Sequence, residues 1–104
     1  MQTIIIVLDP KKMENPDLDI RYLLPERIEE ITEGMVRDNG YDYLPNNDLG
    51  IWLYAEEANK NVKSIIHLVK TERISDNDLS GAAEIYVSEE NCADLDICQK
   101  VYPI

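Results

Sequence analysis

The sequence opens with Thr3-Ile4-Ile5-Ile6-Val7-Leu8-Asp9-Pro10, and this stretch decides the fold. Residues 3–8 are β-branched or aliphatic, which favours a strand, and Asp9-Pro10 ends the run. A continuous apolar run, rather than an alternating one, indicates a strand that is buried on both faces. The sequence therefore predicts a strand at residues 3–8 in the centre of a sheet.

Two helices are predicted after this strand. Pro25 suits the first position of a helix because its φ is fixed. Ile28, Ile31 and Met35 recur at spacings of three and four and give that helix one apolar face. Asn39-Gly40 is expected to end it, since glycine readily adopts the left-handed conformation found there. A second helix is expected from about residue 57 to residue 73. Its predicted inner face consists of Ala58, Val62, Ile65, Ile66 and Val69.

Three further strands complete the predicted order. Residues 41–44 and 51–54 are expected to form a hairpin, and residues 83–88 another strand. Residues 95–104 fit either a short edge strand or a turn of helix. The order β-α-β-β-α-β with a C-terminal tail predicts one α+β domain spanning residues 1–104. Its arrangement is expected to be ferredoxin-like, with two helices on one face of an antiparallel sheet.

The charge balance restricts the classes of partner. The 104 residues include 21 Asp and Glu but only 10 Lys and Arg, which gives a net charge of -11. Such a surface repels nucleic acids and anionic lipids, since both are bound through basic side chains. It attracts basic protein surfaces and accelerates encounter with them. The alternative is that the acidity serves only solubility.

The sequence also predicts a compartment. The apolar run at residues 3–8 is too short for a signal peptide or a membrane span, and no basic segment precedes it. Cys92 and Cys98 are too few for a disulfide framework, and their spacing fits no common zinc motif. We therefore expect a cytoplasmic protein with reduced thiols and no metal or other cofactor.

Aromatic residues are expected on the sheet face opposite the helices. If the aliphatic residues of the strands face the helices, strand alternation places Trp52, Tyr54 and Tyr86 on the other face. Tyrosine and tryptophan are enriched in the hot spots of protein interfaces. We therefore predict that these three residues contact a protein partner. The alternative is that the C-terminal tail covers them.

Four glutamates of the first predicted helix share one face. Glu26, Glu29, Glu30 and Glu33 lie within about 100° of one another at helical spacing. We predict that they bind arginines and lysines of a basic partner. The alternative is an ordinary solvated helix face. A hydrolase with paired carboxylates is disfavoured, because one convex helix does not place two carboxylates across a cleft.

No motif indicates an enzyme. His67 is the only histidine, and it is expected on the exposed side of the second helix among Lys60, Lys63 and Lys70. No serine or cysteine motif of the nucleophilic type accompanies it, and a metal triad needs further ligands. Gly-rich phosphate-binding loops are absent from the sequence. We therefore predict a binding protein without catalytic residues.

Three segments resemble immunity proteins of bacterial contact-dependent inhibition and related polymorphic toxin systems. They are the opening strand ending in Asp9-Pro10, the segment Arg37-Asp38-Asn39-Gly40-Tyr41-Asp42-Tyr43, and the segment Asn77-Asp78-Leu79-Ser80-Gly81-Ala82-Ala83-Glu84-Ile85-Tyr86. The resemblance implies a cytoplasmic antitoxin that blocks the active site of a cognate toxin or a neighbouring surface. Such toxins are often nucleases with basic substrate clefts. The resemblance assigns no site residues.

These observations lead to one expected function and two alternatives. We expect an immunity protein that neutralises a toxin with a basic C-terminal domain, through its acidic and aromatic surfaces. The first alternative is a regulatory or structural ferredoxin-like module that forms homo-oligomers through its open sheet face. The second is a small enzyme of another type, which the residue inventory disfavours. The sequence is compatible with either a monomer or a homodimer.

Overall fold

The computed structural model describes residues 1–91 and 93–103 as a mixed α+β fold. The helices are α1 (Ile20–Ile31) and α2 (Ala58–Thr71). The strands are β1 (Gln2–Leu8), β2 (Val36–Tyr43), β3 (Leu49–Ala55), β4 (Arg73–Ile74), β5 (Asn77–Asp78), β6 (Ala83–Ser88) and β7 (Gln99–Tyr102). Short 3-10 turns occupy Pro10–Lys12, Leu79–Gly81 and Leu95–Ile97.

The main sheet has five strands in the order β2-β3-β1-β6-β7, and all neighbouring strands are antiparallel. β1 lies in the middle, between β3 and β6, and Ile4, Ile5 and Ile6 have no exposed surface. The prediction of a central strand at residues 3–8 is confirmed. A strand buried on both faces needs no polar alternation, which explains the unbroken apolar run.

Both helices pack on the same face of this sheet. β1 contributes Ile4, Ile6 and Leu8 to the core between the layers. The helices contribute Ile20, Leu24 and Ile28 from α1, and Val62, Ile65, Leu68 and Val69 from α2. These residues recur at spacings of three and four, so each helix buries one continuous stripe.

The structure departs from the expected ferredoxin-like order by its additional strands. β7 extends the sheet beyond β6, where the Tyr102 hydroxyl donates a hydrogen bond of 2.6 Å to the Ser80 carbonyl oxygen. A separate two-stranded sheet, β4-β5, lies between α2 and β6 in the chain, and Ser75 and Asp76 form its turn with positive φ. The α+β class, the antiparallel sheet and the two helices are as predicted, whereas the strand set differs.

The start of α1 differs from the prediction. The helix begins at Ile20, and Pro25 lies inside it instead of at its first position. An interior proline removes one hydrogen bond and costs about 3 kcal/mol. Ile20 and Leu24 are nevertheless fully buried, and Pro25 is buried as well. Burial of these apolar side chains offsets the proline penalty and extends the helix by a turn and a half.

The end of α1 also differs from the prediction. Glu33 and Gly34 adopt left-handed conformations with φ of 53° and 80°, and the Gly34 N–H donates to the Glu29 carbonyl oxygen. This is a C-terminal cap, with Gly34 in the role predicted for Asn39-Gly40. Met35 consequently lies outside the helix and is 63% exposed.

Several remaining predictions concern single features. The predicted tail contains both a 3-10 turn, Leu95–Ile97, and an edge strand, β7. Cys92 and Ile104, which belong to the thiol and tail predictions, lie outside the described residues. Cys98 is partly buried, and this burial raises the pKa of its thiol. Neither helix of the described residues is long and apolar enough to cross a membrane.

Candidate protein-binding surface

The four predicted glutamates lie together on the outer side of α1, and we call them the glutamate stripe. Glu26, Glu29 and Glu30 belong to α1, and Glu33 lies two residues after its end. All four line one open groove with Gly34. Glu33 has a left-handed backbone and lines the same groove although the helix has ended. The structure therefore brings all four carboxylates to one surface.

Few cations of the chain neutralise this stripe. The guanidinium of Arg27 binds Glu72 through Nε–Oε1 and Nη2–Oε2 distances of 3.0 and 3.2 Å, which joins α1 to the end of α2. Hydrogen bonding to Glu72 raises the pKa of Arg27. Arg27 also lies 3.9 Å from Glu30. Within residues 1–91 and 93–103, no ion pair reaches the other three carboxylates of the stripe.

The basic residues of α2 form a separate surface. Lys60, Lys63 and Lys70 are exposed, as is His67. Lys63 and His67 line a groove between the helices with Ile31 and Glu72. Among the residues that the structure describes, no group of three or more His, Cys, Asp or Glu side chains has a geometry that could hold a metal ion. Ser64 lines the same groove, and among the described residues no hydrogen bond joins its hydroxyl to the His67 ring.

The sheet face opposite the helices is partly covered by the segment after β6. Trp52 is partly buried, and its Nε1 donates a hydrogen bond of 3.0 Å to the Ala93 carbonyl oxygen. Thr3 lies beneath the same segment, with its Oγ1 donating to the Glu90 carbonyl oxygen at 2.7 Å and accepting from the Ala93 N–H at 3.1 Å. These three bonds fasten the C-terminal segment to the sheet. Trp52 therefore contributes to packing as well as to the surface.

The two predicted tyrosines of this face are also partly buried. The Tyr86 hydroxyl donates to Glu84 Oε1 at 3.3 Å, and Glu84 forms an ion pair of 2.8 Å with Lys100 on β7. Burial raises the pKa of Tyr86. Tyr54 stands on β3, opposite Arg37 of the edge strand β2. Strand alternation places Trp52, Tyr54 and Tyr86 on one face as predicted, but none of the three is a fully open ring.

A second aromatic group, absent from the sequence prediction, lies at the start of α1. Arg21, Tyr22, Tyr41 and Tyr43 form what we call the tyrosine cluster. Tyr22 and Tyr41 meet edge to face with ring centroids 6.1 Å apart, and Tyr41 and Tyr43 meet likewise at 6.3 Å. The Arg21 guanidinium lies 4.7 Å from the Tyr22 centroid and 5.0 Å from the Tyr41 centroid. Both distances are within the range of cation–π attraction.

The cation governs the electrostatics of this cluster. Hydrogen bonding to Arg21 lowers the pKa of Tyr22, and hydrogen bonding to Tyr41 acts in the same direction. Hydrogen bonding to Tyr22 raises the pKa of Arg21. Arg21 Nε is buried without a hydrogen-bond partner in the described part of the chain. The guanidinium contacts both the Tyr22 and the Tyr41 ring.

One sequence signal could have indicated this cluster. Tyr41 and Tyr43 alternate along one strand, so they share a face. They pair with Ile51 and Leu49 of β3, which belong to the core beneath the helices. No sequence pattern places Tyr22 beside them, because the first helix was predicted to begin at Pro25, whereas α1 begins at Ile20.

No protein-family model, curated protein or solved structure matches this chain.

Proposed function

We propose that this protein binds a basic protein surface through the glutamate stripe and acts as an immunity protein against a toxin. The observation that carries the proposal is the row of four carboxylates on the outer side of α1, three of them without an ion pair among the described residues. A carboxylate that the chain leaves free is available for charge-assisted bonds with arginine or lysine of a partner. The net charge of -11 adds long-range attraction toward the same kind of partner.

A nuclease is the toxin class that fits this surface best. Neighbouring glutamates at spacings of three and four stand about 5–6 Å apart at their Cβ atoms. A nucleic acid strand likewise presents negative charges at regular short intervals, about one per 3.4 Å of axis. A substrate cleft lined by basic residues would therefore accept the glutamate stripe in place of a nucleic acid backbone. Such binding would block the substrate cleft of the toxin without any reaction catalysed by this protein.

The geometry of the stripe favours binding over catalysis. Hydrolysis by paired carboxylates needs two carboxyl groups that face each other across a substrate. The four carboxylates of the glutamate stripe are all exposed and come from α1 and the residues just after it, so among the described residues no carboxyl group from another element faces them in the open groove that they line. We therefore propose a protein that is not an enzyme. An antitoxin of this kind would act in the cytoplasm, where a nuclease toxin meets its substrate.

We also propose that the fold is an extended ferredoxin-like one. The elements β1, α1, β2, β3, α2 and β6 follow the order β-α-β-β-α-β, with both helices on one face. On this view β7 and the β4-β5 hairpin are additions to that core. The assignment concerns architecture, and it carries no function by itself.

The edge strand β2 supports the alternative of a homo-oligomer. It is the last strand of the sheet, and residues 37–43 are all exposed. Two features oppose pairing with a second copy. The Asp38 and Asp42 carboxylates accept bonds of 2.9 and 2.8 Å from the N–H groups of Gly40 and Tyr43. The register also shifts between Asp38 and Tyr41, and charges and bulges of this kind protect sheet edges. We therefore favour a different protein as the partner.

The test is protection of cells from the toxin encoded beside this chain's gene. Co-expression of the wild-type protein should restore growth, and the two proteins should co-purify as a complex. A variant with Glu26, Glu29, Glu30 and Glu33 changed to Gln should protect poorly. The matched control changes Glu89, Glu90, Asp94 and Asp96 to their amides, so both variants lose the same number of negative charges. Equal protection by both variants, or none by the wild type, would contradict the proposal. A wild-type homodimer that excludes the toxin would favour the oligomeric alternative.

A further inference from the structure

The tyrosine cluster combines exposure with a fixed geometry. Tyr22, Tyr41 and Tyr43 are 52%, 40% and 46% exposed, so a large part of each side chain is in contact with solvent. A single exposed aromatic residue needs no explanation, whereas a contiguous group of them marks an interaction surface. Here the rings contact one another in sequence, Tyr22 with Tyr41 and Tyr41 with Tyr43. The group is therefore contiguous.

Contacts with Arg21 join the rings of this group before any partner arrives. Its guanidinium lies against two of the rings, and its Nε is buried. The rings themselves belong to two elements, since Tyr22 is on α1 and Tyr41 and Tyr43 are on β2. An aromatic group that is already ordered loses little conformational entropy on binding.

The tyrosine cluster continues directly into the glutamate stripe. Tyr22 and Glu26 are separated by four residues on α1, and Tyr22 and Glu29 by seven. Residues at these spacings lie on the same face of a helix and are neighbours along it. From Tyr22 to Glu30 the helix rises about 12 Å, a span that one partner surface can cover. The two groups therefore form one strip, aromatic at its N-terminal end and acidic beyond it.

We propose that the tyrosine cluster is the aromatic anchor of the toxin interface, docked beside the basic residues that bind the glutamate stripe. This inference rests on the proposed function. The partner surface would carry an apolar depression that receives the tyrosine rings and, next to it, lysines or arginines that face the glutamates, and the part from Tyr22 to Glu30 would span about 12 Å. Tyrosine and arginine are among the residues most enriched in interface hot spots, which lie at well-packed, desolvated centres.

The negative charge of the strip favours a basic protein partner over a second copy of the chain. A symmetric contact through this strip would bring two glutamate stripes, each with three carboxylates lacking an ion pair among the described residues, toward each other. It would do so between two molecules that each carry a charge of -11. Repulsion between like charges opposes that contact, and a basic partner relieves it. The strip therefore fits a basic protein and disfavours self-association.

The sheet aromatics are less suited to the anchor role. Trp52 donates its indole N–H to Ala93, and the C-terminal segment lies against it. A partner could use this ring fully only after that segment moved. The tyrosine cluster needs no such rearrangement. The predicted role of an aromatic anchor is therefore better filled by Tyr22 and Tyr41 than by Trp52 and Tyr54.

The experiment compares dissociation rates from the purified toxin domain encoded beside this chain's gene. The double variant Tyr22→Ala, Tyr41→Ala should dissociate about 30-fold faster or more, with an association rate near that of the wild type. The double variant Tyr22→Phe, Tyr41→Phe retains the rings and should dissociate much more slowly than the alanine variant. Ile97→Ala and Met35→Ala, at exposed residues outside the strip, are the controls and should change dissociation by less than about threefold. Tyr54→Ala tests the competing anchor on the sheet face. Thermal unfolding of each variant establishes that it is folded.

The outcomes separate the inference from the proposed function. If the wild type fails to bind the toxin domain, the proposed function is wrong and the inference falls with it. If the wild type binds but the alanine variant dissociates at the wild-type rate, the inference alone is overturned. The inference alone is also overturned if sedimentation shows a wild-type homodimer that the alanine variant breaks, or if Tyr54→Ala has the larger effect.

Discussion

At the scale of single residues, the Trp52 ring leaves no room for a side chain at Gly50. A Cβ atom at this position would lie 2.6 Å from Cζ3 and 3.2 Å from Cη2 of Trp52. The ring has little freedom to move away, because its Nε1 is bonded to the Ala93 carbonyl oxygen. Gly50 also pairs with Val7 of the central strand, which restricts the backbone. The absent side chain at Gly50 therefore leaves room for the Trp52 indole.

We predict that Gly50→Ala lowers the free energy of unfolding by about 1–3 kcal/mol, the usual cost of overpacking. The fluorescence of Trp52, the only tryptophan, should change at the same time. Gly81→Ala is the matched control, since a Cβ there meets nothing within 4 Å. Urea unfolding measures both variants. Equal stability of the two would show that the indole is free to shift.

Thr3 is a buried polar residue with a structural task. It is 1% exposed on the central strand, and its hydroxyl bonds both Glu90 and Ala93 of the C-terminal segment. Valine has nearly the same shape but can form neither bond, so two backbone groups would lose their partner. Leaving a buried donor or acceptor unsatisfied costs about 1–3 kcal/mol.

We therefore predict that Thr3→Val destabilises the fold by about 1–3 kcal/mol in urea unfolding. Thr71→Val is the control, because the exposed Thr71 hydroxyl donates to the His67 carbonyl oxygen within its own helix, α2. The control should change stability by about 0.5 kcal/mol or less. A Thr3→Val variant as stable as the control would mean that the C-terminal segment is not held by this hydroxyl.

At the scale of the elements, the end of α1 combines backbone strain with a functional side chain. Glu33 adopts a φ of 53°, which costs a residue with a Cβ about 1–2 kcal/mol. Glycine would adopt this conformation without that cost. The glutamate at this position maintains the fourth carboxylate of the stripe at the expense of stability.

We predict opposite stability effects for two glycine substitutions that remove the same charge. Glu33→Gly should raise the free energy of unfolding by about 1 kcal/mol, because it relieves the left-handed strain. Glu29→Gly, inside α1, should lower it by about 1 kcal/mol, because glycine is a poor helix residue. Both variants should slow association with the basic partner. Thermal unfolding and binding kinetics measure the two effects, and a lower stability of Glu33→Gly would contradict the account of this helix end.

The same elements indicate what sequence patterns can predict. β1 and α2 were predictable because their burial is strongly periodic or continuous, and β6 was predicted with its observed bounds, Ala83–Ser88. The start of α1 was not predictable from the sequence. Pro25 prefers the first turn of a helix, but burial of Ile20 and Leu24 stabilises a longer helix that begins before it. Local preference is a weak guide where tertiary packing competes with it.

The candidate surfaces also include one that sequence patterns predict and others that they do not. The glutamate stripe follows from helical spacing alone, so it was predictable from the sequence. The bond from the Trp52 indole to the Ala93 carbonyl joins residues 41 positions apart and has no local signature. The tyrosine cluster likewise depends on contact between α1 and β2. Features that exist only through tertiary contact were out of reach of sequence patterns.

At the scale of the whole molecule, the acidic charge and the glutamate stripe act together. The net charge of -11 attracts a basic partner over distances of a Debye length, about 10 Å at 0.1 M salt. The stripe then sets the orientation in which the two surfaces meet. Charges at the rim of an interface act mainly on the association rate, and salt screens them.

The most direct test of this account is the association rate constant with the toxin domain at low and high salt. For the wild type we predict a fall of about tenfold or more between about 50 mM and 500 mM salt. The variant with all four stripe glutamates changed to Gln should associate more slowly at low salt and depend less on salt. The control variant, with Glu89, Glu90, Asp94 and Asp96 amidated, should stay close to the wild type. A wild-type rate that is independent of salt, or identical behaviour of the two variants, would contradict the claim that the glutamate stripe receives the partner.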